Sequence, residues 1–297
     1  MLARLLMFVS ILLLIAAQAW AVCFAMAGHP LWASVGALMI IFSYSFFLAA
    51  EFVMLYFVQR AEVAPRPTVL QLLAAWCSEV ITTARVFLWQ QPFRSMVEPD
   101  HLPASSIGRT GVVLVHGFVC NRGLWNPWMR ELRARGVPFV AMNLEPVFTS
   151  IDHYSQPIEA AVARIEAATG TPAVLVGHSM GGVAIRAWMA RVAADARVRR
   201  VLTIGSPHHG TWLARYGHTT NGRQMRQCSP WLADLASREP AERYAKFSCY
   251  FGHCDNIVFP ASSGVLPGAE NVHLPGTAHM HMAFSRVVFD GLLHWLR

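Results

Sequence analysis

Residues 173–188 read Ala173-Val174-Leu175-Val176-Gly177-His178-Ser179-Met180-Gly181-Gly182-Val183-Ala184-Ile185-Arg186-Ala187-Trp188. Four bare apolar residues give a strand signal. They run into Gly177-His178-Ser179-Met180-Gly181, a Gly-x-Ser-x-Gly pattern, and a helix signal follows directly. A serine carried on such a strand-to-helix turn needs small neighbours, because the backbone is crowded and strained there. Its hydroxyl is then held at the edge of a sheet, near the positive end of the following helix.

Outward from this turn the same alternation repeats. Strand-like apolar runs fall at residues 112–115, 138–143, 173–177, 201–205, 247–251 and 271–274. Helix-like segments lie at residues 124–135, 158–169, 180–194 and 283–295. Short apolar strands alternating with helices predict an α/β fold, a mostly parallel sheet covered on both faces.

A serine hydroxyl is a poor nucleophile at neutral pH and needs a base, which in turn needs an orienting carboxylate. On a strand–Ser–helix turn of this kind the chain order is Ser, then Asp or Glu, then His. Asp255 follows the strand at 247–251, and His279 follows the strand near 271–274, after Pro275-Gly276-Thr277-Ala278. Asp234 and Glu270 are weaker candidates for the acid, His281 is the rival base, and Asp290 falls after the histidine. The expected catalytic set is therefore Ser179, Asp255 and His279. An oxyanion hole needs two N–H donors. Met180 after the nucleophile is one, and Phe118, in His116-Gly117-Phe118 after the first strand, is the other. His116 and His178 are expected to be structural neighbours.

Together with Gly205-Ser206-Pro207-His208-His209-Gly210-Thr211 and Asp255-Asn256-Ile257-Val258, these motifs stand in the right order to resemble the lipase and esterase branch of the α/β-hydrolase superfamily, close to bacterial triacylglycerol lipases. The resemblance covers residues 108–297. It implies cleavage of carboxylic esters of hydrophobic acyl groups through an acyl-enzyme, with no cofactor, and a cap over the site at residues 212–244. That stretch holds Trp212, Tyr216, Met225, Trp231, Leu232 and Leu235. A thioesterase or acyltransferase would use the same three residues. A non-catalytic membrane scaffold would have no reason to retain them. No HExxH or paired CxxC pattern points to a metal.

The N-terminal third departs from secreted lipases. Of 297 residues only 14% are charged, against roughly 25% in an average soluble domain, and residues 5–58 hold one formally charged residue, Glu51. Residues 5–27 and 31–58 each exceed the roughly 20 apolar residues that a crossing helix needs. Residues 1–60 thus read as a two-helix membrane anchor, with Glu51 near the interface within reach of Arg60. Ala19-Trp20-Ala21 also fits a signal-peptide cleavage site. Residues 61–107 read as linkers around an amphipathic helix at 68–89, which carries Glu79 and Arg85 and so is not a third span. The net charge of +7 comes with one lysine, Lys246, and no basic run interleaved with aromatics, so nucleic acid is not expected. The expected partner is a lipid or other hydrophobic ester. Arg4 precedes the first apolar run, and Arg60, Arg66, Arg85 and Arg94 follow the second. By the positive-inside bias the hydrolase then faces the cytoplasm, at the inner membrane of a bacterium.

Overall fold

The computed structural model describes residues 1–59 and 62–297. Helix α1 (Leu2–Met26) turns through Gly28 into α2 (Pro30–Ile41), and the Trp20 indole N–H donates to the Trp32 carbonyl at 2.9 Å across this hairpin. Helix α3 (Tyr44–Val58) follows. Helix α4 (Val69–Thr83) opens with a capping box between Thr68 and Gln71, then widens into a π-type turn at Ala84–Gln90 and ends in α5 (Gln91–Phe93). The Tyr44 hydroxyl donates to the Val80 carbonyl and the Trp76 indole to the Ser45 carbonyl, which ties α3 to α4.

Three expectations for this region change. The second apolar run is not one straight helix, because α2 and α3 meet at an angle of 57°. Leu48, Glu51, Phe52 and Leu55 of α3 are buried, and that packed face pulls α3 away from the line of α2. Second, Val69–Phe93 is as long and apolar as a spanning helix, like Leu2–Met26. Glu79 does not oppose this, since it is turned inward and buried. Third, Glu51 is only 2% exposed and sits against Asn256 rather than at an interface with water. Arg60, the partner expected for it, lies outside the described residues.

The sheet has six strands in the order β2-β1-β3-β4-β5-β6. These are β1 (Val112–Val115), β2 (Phe139–Ala141), β3 (Ala173–His178), β4 (Val198–Ile204), β5 (Phe247–Phe251) and β6 (Glu270–His273), and every pairing is parallel. Strand β4 begins three residues before the apolar run that announced it. Arg200 is accommodated there because its guanidinium bonds Ser248 of the adjacent β5 at 2.9 Å and reaches across it to pair with Glu270 of β6. Helices α6 (Asn126–Ala134), α7 (Ser155–Thr169) and α8 (Met180–Val192) alternate with the first strands. Helices α9 (Thr220–Gln224) and α10 (Pro230–Ser237) lie in the insertion before β5. Helices α11 (His279–Met282) and α12 (Arg286–Trp295) close the chain.

Two apolar clusters fill the faces of the sheet. One joins Val113, Val115 and Leu175 to α7 and α8; the other joins Val112, Leu114 and Val176 to Trp125, Trp128 and Leu292. All six cysteines are unbridged, with Cys120, Cys249 and Cys254 buried.

Behind the serine turn, Arg186 of α8 is buried with Glu239, their side chains 1% and 0% exposed. The guanidinium also donates to the His208 carbonyl at 2.9 Å. Removing one partner strands a buried charge. We expect Glu239→Ala to cost about 3–5 kcal/mol in chemical unfolding, and Arg186→Met with Glu239→Met together to cost less than Glu239→Ala alone.

Candidate active site

Ser179 joins β3 to α8 with φ 55° and ψ −129°, a conformation that side-chain-bearing residues rarely adopt. The turn closes because nothing fills the space around it. A Cβ on Gly177 would sit 2.6 Å from the Gly182 Cα, and one on Gly181 would sit 2.5 Å from the Val115 carbonyl oxygen. The Ser179 N–H donates to the Ile204 carbonyl at 2.8 Å, which ties the turn to β4.

Asp255 and His279 come from the loops that follow β5 and β6. The Asp255 carboxylate accepts the His279 Nδ1 at 3.0 Å, and its Oδ1 also accepts the N–H groups of Ile257 and Val258 at 2.9 and 2.8 Å. Both residues are buried. Burial pushes the His279 imidazole toward its neutral form, but the charge and hydrogen bond of Asp255 outweigh this and hold its pKa above the ordinary value. The weaker candidates stand elsewhere. His281 gives its N–H to Glu79, Asp234 pairs with Arg238 at 3.0 Å, and Glu270 pairs with Arg200.

The loop after β1 brings Gly117 against the turn, where its Cβ position lies 2.7 Å from that of Ser179. His116 fixes this loop. Its Nε2 accepts the Leu144 N–H at 2.9 Å, and its Nδ1 lies 2.9 Å from the Gly117 carbonyl. That pattern requires the neutral Nδ1–H tautomer, and burial pushes its pKa down to about 4. Phe118 follows on the cavity wall. As the first residue of α8, Met180 has an N–H without a partner inside its own helix. The His178 ring lies 4.7 Å from that of His279, and its Nε2 is 3.2 Å from the His279 carbonyl. Burial holds His178 well below the usual histidine range, so it is a neutral donor.

Ser179, His279, Gly117 and Phe118 open on one cavity of about 550 Å³. Most of its remaining wall comes from the N-terminal helices, as Leu6, Val9 and Leu13 of α1, Tyr44, Phe47 and Leu48 of α3, and Phe87 and Leu88 beyond α4. From the insertion expected to cap the site, Leu213 alone lines the cavity. Met225, Leu232 and Leu235 instead pack into the core against α8, because α9 and α10 lie on that face of the sheet. Three further polar residues meet at the site: Glu51, expected near the membrane interface, Glu79, expected on an amphipathic helix, and Asn256 of the Asp255-Asn256-Ile257-Val258 motif. Glu51 accepts from the Asn256 side chain at 2.6 Å, and Glu79 accepts the Met280 N–H at 2.8 Å. No motif marks the two glutamates, and their one signal is an acidic residue on an otherwise apolar helix.

The profile of the Alpha/beta hydrolase family matches residues 112–290. The fold resembles that of the mature lipase BlEst2 of Bacillus licheniformis, with a TM-score of 0.56 and 18% identity over 64% of this chain and 92% of that one. It also resembles lipase B of Aspergillus fumigatus, with a TM-score of 0.57 and 18% identity over 66% of this chain and 55% of that one. No curated protein matches in sequence. At such identities the likeness is one of fold, and the family match begins at β1, past all the N-terminal helices. From β1 to α12 this chain belongs to the Alpha/beta hydrolase family.

Proposed function

We propose that the chain is a membrane-held serine hydrolase that cleaves carboxylic esters of long acyl groups. The observation that carries this reading is the strained Ser179 turn opening on the same cavity as a histidine bonded to a buried aspartate. Ser179 Oγ attacks the ester carbonyl while the neutral His279 takes its proton at Nε2. Asp255 fixes the ring and stabilises the imidazolium. The Phe118 and Met180 N–H groups receive the oxyanion. Collapse expels the alcohol, which takes the proton back from His279. A water, activated by the same imidazole, then releases the acid and regenerates the serine. No cofactor enters.

The apolar lining contributed by α1, α3 and the chain beyond α4 supports an acyl chain as the occupant, and two of the proteins of similar fold are named as lipases. The N-terminal amine pairs with Glu145 at 2.9 Å, so the start of α1 lies beside the hydrolase. With Arg4 at that end, the positive-inside bias favours a cytoplasmic catalytic domain. Reporter fusions after Arg297 test this. A fluorescent protein exported by the general secretory route should glow only if that end is inside, and an active phosphatase fusion would refute the topology.

Ser179→Ala should lower ester hydrolysis by on the order of 10⁴ to 10⁶ and abolish labelling by a fluorophosphonate. His279→Ala should be as severe, and His281→Ala mild, in the same assay. Activity of Ser179→Ala within tenfold of the parent would end the proposal.

Each buried methylene contributes about 0.8 kcal/mol, roughly fourfold in kcat/KM. A series of p-nitrophenyl esters should therefore rise from acetate toward longer chains. Leu13→Trp, which fills the α1 wall, should depress the ratio of long to short chain activity.

A further inference from the structure

The N-terminal helices reach the loop that carries His279 with two buried carboxylates. Glu79 of α4 is 1% exposed, and its two oxygens accept the Met280 N–H at 2.8 and 3.1 Å and the His281 N–H at 3.1 Å. Glu51 of α3, 2% exposed, accepts the Asn256 amide N–H at 2.6 Å. The Asn256 side-chain oxygen in turn accepts the N–H of His279 itself at 3.3 Å. Asn256 is also the neighbour of Asp255. Three consecutive backbone N–H groups, 279 to 281, are thus held by the anchor helices, directly or through one amide.

Burying a carboxylate is costly unless it is hydrogen-bonded. Two such groups on otherwise apolar helices, both meeting the same loop, are more than packing requires. Hydrocarbon side chains would satisfy the helices, but they would leave these N–H groups and the Asn256 amide without acceptors. We propose that Glu79 and Glu51 are positioning residues, which hold the His279 backbone so that its imidazole faces both Ser179 and Asp255. The helices that line the acyl cavity would then also align the base. This rests on the serine hydrolase reading above.

His279 is faced by Asp255 from the loop after β5, by the His178 ring from β3, and by Glu79 and Glu51 from α4 and α3. Both glutamates favour the imidazolium when ionised. Their loss should therefore move the acid limb of kcat against pH downward, in addition to misplacing the ring.

The test uses the full chain in detergent or vesicles. Glu79→Ala should lower kcat by on the order of 10²-fold, with KM within about threefold. Glu79→Gln should move the acid limb down. Glu51→Leu should lower kcat, and Glu51→Gln, which retains an acceptor for Asn256, should restore part of it. Leu70→Ala and Leu73→Ala, on the outward face of α4, should leave kcat and the limb as they are. NMR of ¹⁵N-histidine should show a lower His279 pKa in Glu79→Gln, a readout that needs no turnover. Should Glu79→Ala fail to fold, Glu79→Gln and Glu51→Leu decide. A kcat within twofold of the parent in both, with an unmoved His279 pKa, overturns the positioning role. An unlabelled parent enzyme would instead overturn the serine hydrolase reading.

Discussion

Ser179 holds a backbone conformation that costs of order 1–3 kcal/mol and persists only where the surroundings over-determine it. Here the surroundings are β1, β3, β4 and α8 at once. The Gly181 Cα lies against the carbonyls of Val115 and His116, and the Ser179 N–H is spent on Ile204. Relaxing the turn would break the contact of three strands with one helix. The cavity follows from the same closeness. Gly117 must come up against Ser179, so the loop after β1 lines the site, and Val119 within that loop takes a positive φ of 53°.

A parallel sheet gathers its chemistry at one edge, and that edge is where the N-terminal helices sit. Helix α4 presents its faces in an unusual sense. Leu70, Leu73 and Ile81 point outward and are more than half exposed, while Glu79 and Thr82 point inward and are buried. On a water-soluble domain this would place a large apolar patch in solvent, which monomers rarely tolerate. Against hydrocarbon the arrangement is satisfied on both sides. There the outward side chains would meet lipid, while the inward carboxylate meets the N–H groups of Met280 and His281. The same inversion explains why an amphipathic reading of residues 68–89 found the helix but not the direction it faces.

What was legible in the sequence was local. The serine turn, the strands before Asp255 and His279, and the glycine at 117 are all signalled by neighbours within a few positions, and the structure brings them to one edge. What was not legible depended on tertiary contact. The bend between α2 and α3 comes from the buried face of α3 and not from a proline or a charge. The insertion at residues 212–244 reads as greasy either way, and composition does not separate a cavity wall from a core that packs on α8. Strand β4 hid its first residues behind Arg199 and Arg200, and the partners that accommodate Arg200, Ser248 and Glu270, stand on later strands.

The lone acidic residues are the instructive case. A carboxylate in an apolar run has two stable placements, at the interface with its charge in water or inside with donors supplied by the fold. Sequence distance decides against seeing the second, since the donors to Glu51 and Glu79 lie some 200 positions away. Once both are seen to meet the His279 loop, the relation between the two parts of the chain changes. Taking the helices away would strip acceptors from the Asn256 amide and from the N–H groups of Met280 and His281, each a loss of about 1–3 kcal/mol if left buried and unpaired. The helices that read as a tether are, by their hydrogen bonds, part of the wall behind the His279 backbone.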